Sequence, residues 1–152
     1  MKDTMSHKDT MSNLERDLAV APDHLDTQWR EQPTLFMTYS LLSSQARTRV
    51  MGLEEDMKAL RSELILEAKN RGEDVLGMGV KPTDQACEAY YRSSPKYRAL
   101  KDRWLHASQD ANALDGAVFA FHQRKAALEA MVQLHGQNYF SSPQEPGNLP
   151  PE

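Results

Sequence analysis

The sequence predicts an all-α fold: an antiparallel hairpin of two long helices with short helices flanking it, coiled-coil-like and oligomeric. Three observations predict it. Two long stretches place apolar residues at alternating three- and four-residue steps, the spacing that gathers side chains on one helix face. No stretch of the 152 residues sustains the period-two alternation of a half-buried strand. Finally, prolines and glycines bound the two periodic stretches, as at Pro33, Gly72, Pro95 and Gly136.

Taken in order, residues 1–12 are polar and echo themselves. Lys2-Asp3-Thr4-Met5-Ser6 recurs as Lys8-Asp9-Thr10-Met11-Ser12, and the segment is expected to be a disordered tail. Leu14, Leu18 and Val20 then form a short apolar-spaced piece closed by Pro22. A second short helix is expected from about Pro22 to Glu31, with Leu25 and Trp29 on one face. Pro33 falls where the first long helix would begin, at its first position.

That helix carries Leu35, Tyr39, Leu42, Ala46, Val50, Leu53, Met57, Leu60 and Leu64 as one stripe. Glu54 with Lys58, and Glu67 with Arg71, support it as i,i+4 pairs. Its end is expected at Asn70-Arg71-Gly72, with the glycine as C-cap. Glu73 to Lys81, containing Gly77 and Gly79, reads as a loop. Thr83 is an N-cap candidate for a short helix to about Arg92. Ser94 and Pro95 open the second long helix.

The second helix holds Tyr97, Leu100, Trp104, Ala107, Ala111, Leu114, Val118, Phe121, Leu128 and Val132 at heptad spacing, with Lys125 interrupting. A polar residue at such a position often fixes register or oligomer state. Alternatively the Lys125 stem lies along the stripe while its ammonium reaches water. Each long helix would span roughly 50–60 Å at 1.5 Å per residue. The spacing leaves open whether they pair within a chain or between chains. Leu53, Leu60, Leu64, Trp104, Leu114, Val118, Phe121 and Leu128 are the oligomerisation candidates. Residues 141–152, rich in proline, are expected to be a second disordered tail, leaving 13–140 as the helical domain.

Composition narrows the function classes. Hydrophobic residues are 39% of the chain, low for a compact globule, so pairing with copies or a partner would complete its core. The net charge of −4 argues against a uniformly basic nucleic-acid binder. One cysteine, Cys87, excludes an intramolecular disulfide and a thiolate cluster; it reads as a small buried residue. No apolar run reaches membrane-spanning length, and the polar N-terminus lacks a signal core. A cytoplasmic protein is expected, in the host cell if a phage encodes it.

No constellation points to catalysis, so the chain is read as a non-enzyme without a cofactor. There is no HExxH among the five histidines. Asp102, His106 and Asp110 share a helix face at metal-ligand spacing, but charged solvated faces produce that spacing commonly. Gly77-Met78-Gly79 lacks the strand and third glycine of a phosphate loop.

One cluster is set apart by its charge. Arg92, Lys96, Arg98, Lys101 and Arg103 stand against Asp102 alone, a local balance of +4 that leaves −8 for the remainder. Tyr90, Tyr91, Tyr97 and Trp104 lie among them. Cations for phosphates and rings for unstacked bases are what single-stranded nucleic-acid binding needs. The bland reading gives Tyr97 and Trp104 to the apolar stripe and the cations to a solvated face. Arg47, Arg49, Lys58 and Arg61 form a weaker group, interrupted by Glu54, Glu55 and Asp56.

Over residues 13–140 the layout resembles the UvsY-type recombination mediators of bacteriophages. The resemblance rests on the leader Leu14-Glu15-Arg16-Asp17-Leu18, on Tyr39-Ser40, and on Leu60-Arg61-Ser62-Glu63-Leu64, which is similar to a Leu-Lys-Ala-Arg-Leu segment of that family. It continues through Asn70-Arg71-Gly72 and the helix carrying Ala126 to Leu134. It implies a homo-oligomer that binds single-stranded DNA non-specifically and helps load a RecA-like recombinase onto DNA coated by single-strand DNA-binding protein. Arg61 would be the matched cation, with Lys58 beside it. Glu63 replaces the family's second basic residue, which moves phosphate contact toward Arg92, Lys96, Arg98, Lys101 and Arg103, with Tyr91 as the stacking ring. The alternative is a phage structural, chaperone or adaptor protein acting through coiled-coil assembly without DNA.

Overall fold

The computed structural model describes residues 7–137 except Met78 and Val80, with side chains described from Asn13 onward. Among the described residues every element is helical and none is a strand. The order is α1 (His7–Leu18), a single 3-10 turn at Pro22–His24, α2 (Leu25–Asn70), α3 (Gly72–Leu76), α4 (Asp84–Ser93) and α5 (Pro95–Gly136). The chain divides into two compact units, one of Met1–Tyr39 with Ala117–Glu152 and one of Ser40–Gly116.

Several boundaries differ from the sequence expectation, each for a local reason. Helix α1 begins at His7, inside the stretch expected to be disordered. Leu14 and Leu18, one turn apart and both half-buried, give that helix a face to cover. The expected disordered tail 141–152 lies outside the described residues, as do residues 1–6.

The separate helix expected at 22–31 merges into α2, which runs through Pro33. A proline there removes the bond its nitrogen would give to the Trp29 carbonyl, a cost of roughly 3 kcal/mol in a free helix. Leu25, Gln32 and Tyr39 are buried at seven-residue intervals on either side of it. Burial of that one face holds the helix through the missing bond.

Gly72 is not a C-cap. Helix α2 stops at Asn70, and residues 72–76, expected as loop, form α3. A Cβ on Gly72 would lie 3.3 Å from Pro82 Cδ, so its glycine serves a close approach. The positive φ angles belong to Gly77 (99°) and Gly79 (76°), which turn the chain toward α4. Thr83 caps α4 as expected, its hydroxyl accepting from Ala86 N–H at 3.2 Å. Ser94 takes an extended conformation between α4 and α5, and its carbonyl accepts from Arg98 N–H at 3.0 Å. Gly136 ends α5 as expected.

In the first unit, segments of α2 and α5 contact in opposite chain directions. Tyr39 packs on Phe121 with centroids 4.7 Å apart, and Phe36 meets His122 edge-on at 4.8 Å. Gln32 Nε2 donates to the Phe121 carbonyl at 2.8 Å, and Arg124 Nη1 donates to Gln32 Oε1. Helix α1 joins through Asp17, whose carboxylate accepts from the Tyr39 hydroxyl at 3.1 Å. Burial and that carboxylate push the Tyr39 phenol up to about 12.

The sequence placed Lys125 on the buried stripe of α5. The structure puts Arg124 there, 5% exposed, between Phe121 and Leu128. Lys125 instead points outward, its side chain 58% exposed and 3.6 Å from Glu129. A stripe of 121, 124 and 128 keeps the three-four alternation; hydropathy alone skips it because the residue is arginine.

In the second unit the same substitution of polar for apolar occurs. Leu42 is exposed and Ser43 is buried in its place. Ser43 and Arg47 both bond Asp115 of α5, and Trp104 Nε1 donates to Glu54 Oε1 at 3.2 Å. Lys69 reaches Asp84 at 3.2 Å, tying the end of α2 to the start of α4. The core is Leu53, Leu64 and Ala68 of α2, Cys87 and Tyr91 of α4, and Ala107 and Ala111 of α5. Cys87 is 1% exposed.

Leu53, Leu64, Phe121 and Leu128 were expected to join copies of the chain. They are buried within a single chain, so their apolar surface is already covered. Leu60, Trp104, Leu114 and Val118 are half-buried. The large apolar residues left exposed are different ones, among them Trp29, Met37, Leu41, Met51, Leu66, Leu105, Phe119 and Val132.

Candidate nucleic-acid interface

The α4–α5 corner of the second unit is built around the Tyr91 ring. The ring is 4% exposed, held edge-to-face by Tyr97 at 5.0 Å, with an interplanar angle of 76°. The Arg61 guanidinium of α2 lies over it, 5.0 Å from the centroid, where the ring quadrupole attracts a cation. Arg92 Nε reaches the Tyr91 hydroxyl at 3.5 Å. Arg98 Nε donates to the Arg92 carbonyl at 3.2 Å. Arg61, Arg92 and Arg98 therefore converge on one corner from three helices, and all three are exposed. Arg61 precedes Tyr91 by thirty positions in the chain, and only the fold brings them together.

The remaining predicted cations are placed less favourably. Lys58 lies one turn before Arg61 but pairs with Glu55 at 2.7 Å, which raises its pKa. Lys96, Lys101 and Arg103 are exposed on α5. At about 100° per residue, Lys96 and Arg103 fall on one side of the buried stripe, and Arg98 and Lys101 on the other. The sequence cluster is therefore split into two flanks. Arg47 is engaged by Asp115, with Nη2 to Oδ2 at 2.7 Å.

Tyr91 does not fit the stacking role expected for it. One face lies under Arg61 and the ring packs T-shaped against Tyr97, and it is too enclosed to offer a face to a base. Tyr90 is half-buried, and its hydroxyl donates to Glu67 Oε2 at 3.3 Å. Desolvation first, and then Glu67, raise its pKa. Arg92 shares its charge with Glu88 at 2.6 Å; the Tyr91 hydroxyl and Glu88 together hold its pKa above the ordinary value. What the corner offers is guanidinium groups exposed to solvent, suited to phosphate oxygens.

Asp102, His106 and Asp110 do not assemble a metal site, and no group of three potential ligands does so among the described residues. No helix among those residues is long and apolar enough to cross a membrane. The first unit has an open groove of about 990 Å³ lined by Leu25, Trp29 and Val132, with Asp23, Asp26 and Glu129 on its walls.

Sequence reasoning missed Ser43, Asp115, Gln32 and Arg124, whose importance comes from partners on another helix. No family model matches the chain, and neither the curated proteins nor the solved structures yield a match.

Proposed function

We propose that the chain is a recombination mediator that binds single-stranded DNA non-specifically as a homo-oligomer and promotes loading of a RecA-like recombinase. The observation that carries this reading is the convergence of Arg61, Arg92 and Arg98 on the α4–α5 corner. Arg61 is also the cation matched by the resemblance to UvsY-type mediators. The cations would contact phosphates, which confers affinity without sequence preference. Exposed apolar residues such as Trp29 and Val132 would join copies of the chain, each a coiled-coil-like hairpin of its two long helices. Several weak corners in one particle would bind together and offset the overall negative charge. The protein would act in the cytoplasm, without catalysis or a cofactor, alongside single-strand DNA-binding protein.

Salt tests the reading. If each corner neutralises about three phosphates, log affinity for an oligonucleotide falls against log salt with a slope of about −2 per corner engaged. Arg61→Glu with Arg98→Glu should abolish binding while leaving helicity and particle mass unchanged. Binding that is flat with salt, or that survives the double reversal, would overturn the proposal.

The second reading is a phage structural, chaperone or adaptor protein without DNA contact. The burial of Tyr91 and the Arg92–Glu88 pair favour it. Under that reading the double reversal changes nothing measurable, and no oligonucleotide binds even at low salt.

A further inference from the structure

We infer that Gln32 and Arg124 form a register lock, a polar layer that sacrifices stability to fix which residues of α2 and α5 face each other in the first unit. Both side chains lie inside the stripe, 6% and 5% exposed, where apolar residues would leave no buried polar group to satisfy. Gln32 is used twice: its amide nitrogen donates to the Phe121 carbonyl and its oxygen accepts from Arg124 Nη1. Only one alignment gives the amide both partners.

A slip of one heptad that brings His122 beside Trp29 would place Arg124 against Leu25. Leu25 offers its side chain no acceptor. The guanidinium would then be buried without a partner, a heavy penalty for a group that cannot lose its charge. An all-apolar layer at this point would not discriminate between the alignments, because apolar contact carries no direction; only the bonds of Ser43 and Arg47 to Asp115 and of Trp104 to Glu54 in the second unit would still hold α2 on α5. Even in the native alignment Arg124 Nε has no hydrogen-bond partner among the described residues. The layer is thus costly as it stands, which fits a role in specificity better than one in stability. The lock depends on this packing alone, whatever the corner of the second unit binds.

Cross-linking tests it in a Cys87→Ala background. The pair Phe36→Cys and His122→Cys reports the native alignment, and Trp29→Cys with His122→Cys reports a slip of one heptad. With Gln32 and Arg124 present, only the first pair should form a disulfide on oxidation. With Gln32→Leu and Arg124→Leu together, the melting temperature should rise; with Asp115→Ala added, which removes the bonds from Ser43 and Arg47, both pairs should cross-link. A second pair that stays uncrosslinked, or a lowered melting temperature, would overturn the lock. As a second arm, Arg124→Met keeps the Gln32 bond to the Phe121 carbonyl, whereas Gln32→Leu strands the guanidinium. Arg124→Met should therefore melt higher than Gln32→Leu, and the opposite order would also overturn it.

Discussion

Ser43 donates a 2.5 Å hydrogen bond to the Asp115 carboxylate, joining α2 to α5 inside the second unit. Arg47 closes the same carboxylate from the other side through Nε and Nη2. These bonds hold the Asp115 carboxyl below its ordinary pKa, Arg47 contributing most.

Asp115→Ala should destabilise the second unit by about 1–3 kcal/mol, because it leaves the buried Ser43 hydroxyl unpaired. Wild type should also lose stability in acid. The folded pKa is depressed, so the contribution is present above the unfolded value of about 3.9 and disappears as pH falls through the folded one. Urea midpoints between pH 7 and pH 2 check this; the acid-side loss should be smaller in Asp115→Ala.

Tyr39 gives the opposite sign at the alkaline end. Its pKa is raised to about 12, so the neutral phenol is favoured in the folded state. That stabilisation is complete below an unfolded pKa of about 10 and is lost as pH rises toward the folded value. Absorbance titration should show a tyrosine ionising near the alkaline limit, and Tyr39→Phe should remove that step.

Tyr91→Ala should cost about 3–5 kcal/mol, as for other large buried aromatics. Tyr91→Phe keeps the packing on Tyr97 and the surface under Arg61. It should retain oligonucleotide affinity within about twofold, since the hydroxyl's hydrogen bond is to Arg92 and a single bond of that length is worth little. A large loss of affinity in a folded Tyr91→Phe would show that the ring's hydroxyl takes part in binding.

Pro33→Ala restores a backbone donor inside α2. It should stabilise the first unit by up to about 3 kcal/mol, read as a raised melting temperature. Thr83→Ala should do the reverse for α4, costing about 0.5–2 kcal/mol through loss of the bond to Ala86 N–H.

The helices were legible because apolar periodicity is a local property. Leu53, Leu64, Phe121 and Leu128 are buried where the three-four spacing puts them. The same rule failed at Leu42 and Lys125, one residue from the positions that are buried. Ser43 and Arg124 are tolerated inside only because Asp115 and Gln32 meet them from another helix, and hydropathy carries no record of such partners. The basic cluster was legible as charge but not as a surface, since helix geometry divides Lys96 and Arg103 from Arg98 and Lys101. Arg61 was legible as one member of a weaker basic group and as the cation the resemblance matches, but its place over Tyr91 required the fold.

Cys87 is the chain's single thiol and is almost wholly enclosed. Reaction with an alkylating reagent therefore has to wait for α4 to lift from its neighbours. The rate of thiol capture becomes a clock for opening of the second unit, read from one atom without any added label. Ligands that settle on the Arg61–Arg92–Arg98 corner would slow that clock, and ligands held elsewhere would leave it running.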